Sequence, residues 1–376
     1  MITHPSSTLV RDSLFRFSVA VASLACATCF AAYTTNTWTG SGADDNWGTG
    51  GNWDDGEPET SHKALIDNGD TVTLDSTGEV AYWIEVNGDS TVRQTGGRID
   101  MQDGERTAGS PYRTIEPFLI TGGGRYELQG GTLTNDGGGG TTSTGSPQLY
   151  MHVGDGGVGT FVQSGGVFGD QNPRSGLEGF YTVQVGLDTD GDGTLRFEGD
   201  GAFYINWDIS DLNIGDGTGE GRLEVSGSDI TAIEIGQELR LASTSTTRFE
   251  LDAGGVTPVS VGTRAKTYND NYSALHLDGE LEIALLAEPP ESNITLIDLS
   301  GLGSEPTSVN GTFDGLSEGD VVESIFDQTT YAWTLTYAGG DGDDVVLTDM
   351  TIIPEPASAA LAVLAVLAAV CRRGRR

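Results

Sequence analysis

Cysteine is missing from the whole stretch between Cys29 and Cys371, so no disulfide holds the middle of this 376-residue chain together and that part has no thiol nucleophile. Basic residues are scarce as well: Lys and Arg total 19 against 55 Asp and Glu. Between positions 33 and 353 only 13 basic residues face 53 acidic ones, a formal charge near −40 that repels nucleic acid and anionic lipid. Neither is expected as a partner. The acids either keep an exposed, glycine-rich surface soluble or bind divalent cations. Histidine is thin too, since beyond the first 32 residues only His62, His152 and His276 occur, too scattered to suggest a metal centre. Helical periodicity is the last absence. Glycine, at 56 residues, is about twice its ordinary usage without a collagen period, which argues against helices and for many turns.

What is present is a repeat. Its clearest copy runs from Val153-Gly154-Asp155-Gly156-Gly157 through Thr160-Phe161-Val162-Gln163 to Gly165-Gly166. Related copies hold Leu195-Arg196-Phe197-Glu198-Gly199 and Leu223-Glu224-Val225-Ser226-Gly227, and weaker ones surround Val92, Tyr126 and Phe249. Taking the first apolar residue of each as a marker gives positions 92, 126, 161, 195, 223 and 249, at intervals of 34, 35, 34, 28 and 26. Each copy alternates apolar and polar residues over about four positions between Gly or Asp-Gly turns, the pattern of a half-buried strand. A strand-like segment precedes each copy, as at Val183-Gln184-Val185 or Leu212-Asn213-Ile214, and a shorter one often follows, as at Ala202-Phe203-Tyr204-Ile205. Three strands per repeat predict an all-β chain with a right-handed parallel β-helix over 83–262, with an antiparallel β-sandwich as the rival arrangement. Gln94 and Gln163 fall two residues after the marker, where the other copies are apolar, so their amides need partners if they point inward.

A solenoid must cover its end strands or it polymerises edge to edge. Residues 33–82 form an N-terminal Trp/Gly-rich segment suited to one end, and 263–350 a C-terminal β segment suited to the other, with strict alternation at 275–283 and 331–337. The spacing of Trp38, Gly40, Trp47, Asn52, Trp53, Gly56 and Pro58 resembles the opening of exported bacterial solenoid proteins with autotransporter-associated repeats. The ending from Tyr337 to Leu347 resembles their closing motif, which usually has Asn where Asp343 stands. This resemblance implies a β-helical passenger-like domain and no particular activity. An autotransporter would continue into a long membrane barrel of alternating strands, whereas here the segment leads into a different device.

That device is residues 351–376. Pro354-Glu355-Pro356 precedes a small-apolar run, Ala357 to Val370, and then Arg372, Arg373, Arg375 and Arg376. It resembles the PEP-CTERM sorting signal. The resemblance implies that an exosortase-type processing enzyme of a Gram-negative bacterium recognises the Pro-Glu-Pro site. The apolar run is expected to be a C-terminal single short transmembrane helix, at about 21 Å marginal against a hydrocarbon core of about 30 Å. The arginines form a basic stop segment that stays cytoplasmic. At the other end, Arg11 and Arg16 precede an apolar stretch closing at Phe30-Ala31-Ala32, so 1–32 is expected to be a signal peptide that carries off Cys26 and Cys29. The chain is therefore expected to cross the inner membrane, to be anchored transiently, and to reach the cell surface or extracellular matrix.

Two acidic turns invite calcium. Asp188-Thr189-Asp190-Gly191-Asp192-Gly193 begins like a calcium loop, although Gly199 stands where the closing Glu belongs, and an acidic β-turn is the alternative. The segment Gly339-Gly340-Asp341-Gly342-Asp343-Asp344 matches a single calcium-binding nonapeptide, whose sites are normally built between successive copies. Asp188, Asp190, Asp192, Asp341 and Asp344 are thus the candidate metal ligands, and no cofactor other than calcium is expected. Gly154 to Gly159 satisfies GxGxxG, but strand follows where a nucleotide site needs helix. No catalytic residue stands out, since acids such as Asp188, Asp190, Asp208 and Asp211 are abundant in turns. The expectation is an exported structural or interaction solenoid. The alternatives are a glycan-binding adhesive module using aromatics such as Trp83 or Trp207, with exopolysaccharide as partner, and a polysaccharide-active enzyme.

Overall fold

Segments that alternate apolar and polar residues and end at glycine form strands throughout the computed structural model, which describes residues 34–101, 114–134, 148–171, 180–206, 210–263, 275–299 and 309–353. Among the described residues the one helical element is a 3-10 turn at Gly50–Asn52. The chain visits three sheets in rotation. One coil comprises Gln148–Asp155, Val158–Gln163 and Val167–Asp170, and the next comprises Phe180–Leu187, Asp192–Phe197 and Ala202–Ile205, each strand pairing in parallel with its counterpart. The first sheet holds ten strands from Thr34–Thr37 to Val309–Gly311, and the second holds eight from Thr71–Leu74 to Glu280–Leu285. The third holds eight parallel strands from Thr77–Ala81 to Ile294–Leu299, followed by three antiparallel ones. The chain is a parallel β-solenoid, not an antiparallel sandwich. Ten strands at the ordinary spacing of about 4.8 Å span about 43 Å.

The stacking reaches beyond 83–262 at both ends. His62–Ile66, Thr71–Leu74 and Thr77–Ala81 make a coil before it, and Leu275–Leu277, Glu280–Leu285 and Ile294–Leu299 make one after it.

Inside, Val92, Tyr126, Phe161, Leu195 and Leu223 are fully buried and lie one above another in the second sheet, as the repeat spacing predicts. The next marker differs: Leu223 pairs with Thr247, and Phe249 pairs with Val225. A slip of two residues keeps the same side chains facing inward, so alternation alone cannot fix the register to better than two. The consequence is a threonine in the core, Thr247, whose hydroxyl has no hydrogen-bond partner. Gln94 and Gln163 do point inward; Gln94 finds partners at both ends of its amide, whereas Gln163 finds them for Nε2 alone and its buried Oε1 has none. Tyr126 Oη donates to Gln94 Oε1 at 2.7 Å, and Gln94 Nε2 donates to Thr132 O at 3.0 Å. Gln163 Nε2 donates to Ala202 O at 2.9 Å.

Both ends are covered. At the first, Trp38 and Trp47 meet the ring of Trp53 edge-on, with centroids 5.2 and 4.9 Å away, and all three are buried. Asn52 knots this loop: its Oδ1 accepts from Gly42 N–H at 2.7 Å, and its Nδ2 donates to Asp44 O at 2.8 Å. The loop then caps an open edge, since Trp47 N–H donates to Thr73 O at 2.8 Å and Thr73 N–H to Asp45 O at 2.7 Å. At the other end, Asp344–Ile353 adds antiparallel to Ile294–Leu299, and Thr329–Gly339 and Val321–Phe326 follow it.

Candidate functional site

The sorting residues Pro354, Glu355 and Pro356, the stop arginines Arg372, Arg373, Arg375 and Arg376, the signal segment, Trp207 and Asp208 all lie outside the described residues. Among the described residues no helix is long and apolar enough to cross a membrane. Trp83 is not the exposed platform expected for a sugar: it is 9% exposed, and Lys63 Nζ sits 4.1 Å from its ring centroid. The structure does not gather Asp188, Asp190 and Asp192 into a ligand set. Asp188 sits at φ 62° in a turn closed by Gly191 N–H donating to its carbonyl at 3.0 Å, while Asp192 already belongs to the next strand.

The second acidic turn behaves differently. Asp341, Asp343 and Asp344 place carboxylate oxygens within 4.8 Å of one another, the one such group among the described residues. The hairpin turn after Thr329–Gly339 brings them together against the last parallel strand, where Leu299 N–H donates to Asp344 Oδ1 at 2.9 Å. Burial raises Asp343 to about 6, helped by its hydrogen bond to Asp341 and by the charges of Asp341, Asp344 and Asp298. Burial also raises Asp344. These are hard oxygen donors of the kind calcium takes, though fewer than the six to eight oxygens it usually collects. Equal melting temperatures in excess EDTA and millimolar calcium would remove the metal role and leave a proton-sharing cluster.

The raised value also fixes a pH effect. In the unfolded chain Asp343 ionises near the ordinary value of about 4, so stability falls as pH rises from there through about 6. Asp343→Asn should therefore stabilise the protein at pH 7, by about 1 kcal/mol after allowing for solvent screening. The gain should vanish below about pH 4, as chemical denaturation at both pH values would show.

The outer face of the second sheet is a charge ladder. Arg196, Glu224, Arg248 and Glu282 stack in register on successive coils. Arg196 reaches Glu198 at 2.8 Å and Glu250 at 2.9 Å as well as Glu224. Five of the eight described basic residues (Arg93, Arg125, Arg196, Arg222 and Arg248) stand on this one face. Burial works to raise Glu224, but hydrogen bonds from Arg222 and Arg196 outweigh it and hold it below the usual range. Arg196→Gln should cost about 1–2 kcal/mol at pH 7, because three carboxylates lose a shared cation. The deficit should shrink as pH falls below the carboxylate range, where the stabilisation carried by a depressed Glu224 is lost.

The first sheet carries the titratable groups that the sequence did not single out as a set. Asp211 and Glu238 are register partners on neighbouring strands. Burial, and then the charge of Glu238, pushes Asp211 up to about 7 against the opposing pull of Arg240, and Asp211 Oδ1 has no hydrogen-bond partner. Glu238 is 7% exposed and is held by Arg240 Nη2 at 2.7 Å, with His276 Nε2 3.6 Å away. Asp211 was one acid among many in sequence. Pairing it with Glu238, 27 residues later, needs the coil register. In comparisons with known proteins no family, no curated protein and no solved structure matched the chain, so its function is argued from these residues alone.

Proposed function

We propose that this chain is an exported β-solenoid that stands at the cell surface or in the extracellular matrix in a structural or interaction role. The observation that supports it best is a rod covered at both ends whose second face satisfies its own charges through the Arg196–Glu224–Arg248–Glu282 ladder. Such a body keeps its shape without disulfides and resists edge-to-edge growth. Its acidic surface suits a crowded exterior where it must stay soluble. The segment 1–32 supports export, and 351–376 supports sorting, because Pro354-Glu355-Pro356 stands before a short apolar run and four arginines in the order an exosortase-type enzyme would read. The short apolar run then serves as a transient membrane anchor. Fractionating cells that express Pro354→Ala with Glu355→Ala tests the sorting step. The variant should stay in the membrane fraction; release at the wild-type rate would contradict it.

A further inference from the structure

The outer face of the first sheet differs in chemistry from the charge ladder beside it. On successive coils His152, Gln184, Asn213, Arg240, His276 and Asn310 are register partners, each set between residues that face the interior or the sheet edge. All six end in planar hydrogen-bonding groups: two imidazoles, three carboxamides and one guanidinium. At the ordinary strand spacing the row repeats every 4.8 Å or so and extends about 24 Å. Beside it runs a second row in register, Tyr150, Thr182, Asp211 and Glu238. The Tyr150 ring lies 6.3 Å from that of His152.

Parts of the row are already engaged. Arg240 and His276 are held by Glu238, His276 Nδ1 lies 3.1 Å from Asn310 Nδ2, and His152 Nδ1 lies 3.0 Å from Asp155. Gln184 and Asn213, at its centre, make no side-chain hydrogen bond among the described residues. A ligand that fits must be extended, must present donors and acceptors at a regular interval, and must not carry negative charge, because the chain has a net charge of −36. A linear uncharged polysaccharide meets all three conditions, whereas a polyanion fails the last.

We propose that this face binds a linear neutral glycan along the solenoid axis, its hydroxyls meeting the Gln184 and Asn213 carboxamides and the Arg240 guanidinium of successive coils. The proposal rests on the interaction role above and gives it a ligand class and a surface. The Asp211 carboxyl, raised by burial to about 7, adds a hydroxyl-like donor beside the row below that pH.

Affinity electrophoresis of the full chain through gels containing hydroxyethyl cellulose, glucomannan or alginate tests it. The wild type should be retarded by at least one of the two neutral glycans and not by alginate. Gln184→Ala with Asn213→Ala breaks no side-chain hydrogen bond among the described residues and should weaken that retardation at least tenfold with an unchanged melting temperature. Thr160→Ala with Thr194→Ala, on the outer face of the second sheet, should leave retardation as in the wild type. No retardation by either neutral glycan, retardation by alginate alone, or equal retardation of wild type and the Gln184/Asn213 variant would each overturn the proposal. None of these outcomes bears on export or sorting, which the fractionation experiment reads independently.

Discussion

Replacing Phe168 by alanine is expected to lower the free energy of unfolding by about 3–5 kcal/mol, the usual cost of emptying a buried aromatic site. Phe168 joins all three walls of the solenoid. It is fully buried on the third sheet, and its ring stacks on Phe203 of the next coil at 4.6 Å and on Phe180 of the first sheet at 4.3 Å. Phe161 of the second sheet meets it edge-on at 5.6 Å. Neighbours drawn from parallel strands of two coils cannot collapse into the gap without breaking ladder hydrogen bonds, so the cavity should persist. Val158, 52% exposed on a strand of the same coil, provides the control. Val158→Ala should change stability by less than about 0.5 kcal/mol, with urea denaturation as the readout for both.

A corner glycine should matter nearly as much. Gly131 adopts φ +77°, and a Cβ there would fall well inside van der Waals contact of Gly96 O and Gly97 O, both backbone of the preceding coil. Neither oxygen can swing aside as a side chain would. Gly131→Ala therefore carries the left-handed penalty of about 1–2 kcal/mol and forces two coils apart, for a total of about 3–5 kcal/mol. Gly217 separates the two effects: its φ is +89°, but nothing lies within 4 Å of the place an added methyl group would take. Gly217→Ala should show the conformational penalty alone. Equal losses in the two variants would mean that the corners are not stacked backbone on backbone.

Much of the fold was legible in the sequence because its repeat is written in residues with one structural meaning. Glycine at 97, 131 and 166 closes equivalent corners, and the alternation from Val92 to Leu223 gives both the strand and its buried side. What alternation leaves open is register in steps of two, which is why Thr247 rather than Phe249 takes the inward place beside Leu223. The flanking coils were harder to read for a related reason. The strands at 62–81 are short and lack the Gly-Gly corner, so the end cap read from the Trp-rich loop runs on to residue 82 and takes in a coil that belongs to the solenoid.

The candidate sites were less legible. Asp341 and Asp344 could be found because the carboxylates that gather are close in sequence. Asp188, Asp190 and Asp192 are just as close, yet the turn spreads them over a corner and into a strand. The row on the first sheet did leave a trace: Val183-Gln184-Val185, Leu212-Asn213-Ile214, Leu239-Arg240-Leu241 and Leu275-His276-Leu277 each set a planar polar residue between two apolar ones. The trace becomes a surface only when the coils, at unequal intervals, are laid in register.

The parallel stacking of coils is the claim on which the rest depends, and spin-label distances measure it directly. Thr71, Thr91, Thr246 and Glu280 lie on one outward row of the second sheet. With Cys26, Cys29 and Cys371 replaced by serine, double electron–electron resonance should give about 24 Å between labels at 91 and 246, about 29 Å between 71 and 246, and about 34 Å between 71 and 280. Growth by one strand spacing per coil, regardless of the number of residues in each coil, is the predicted result. Distances that fail to grow in that order would contradict the solenoid.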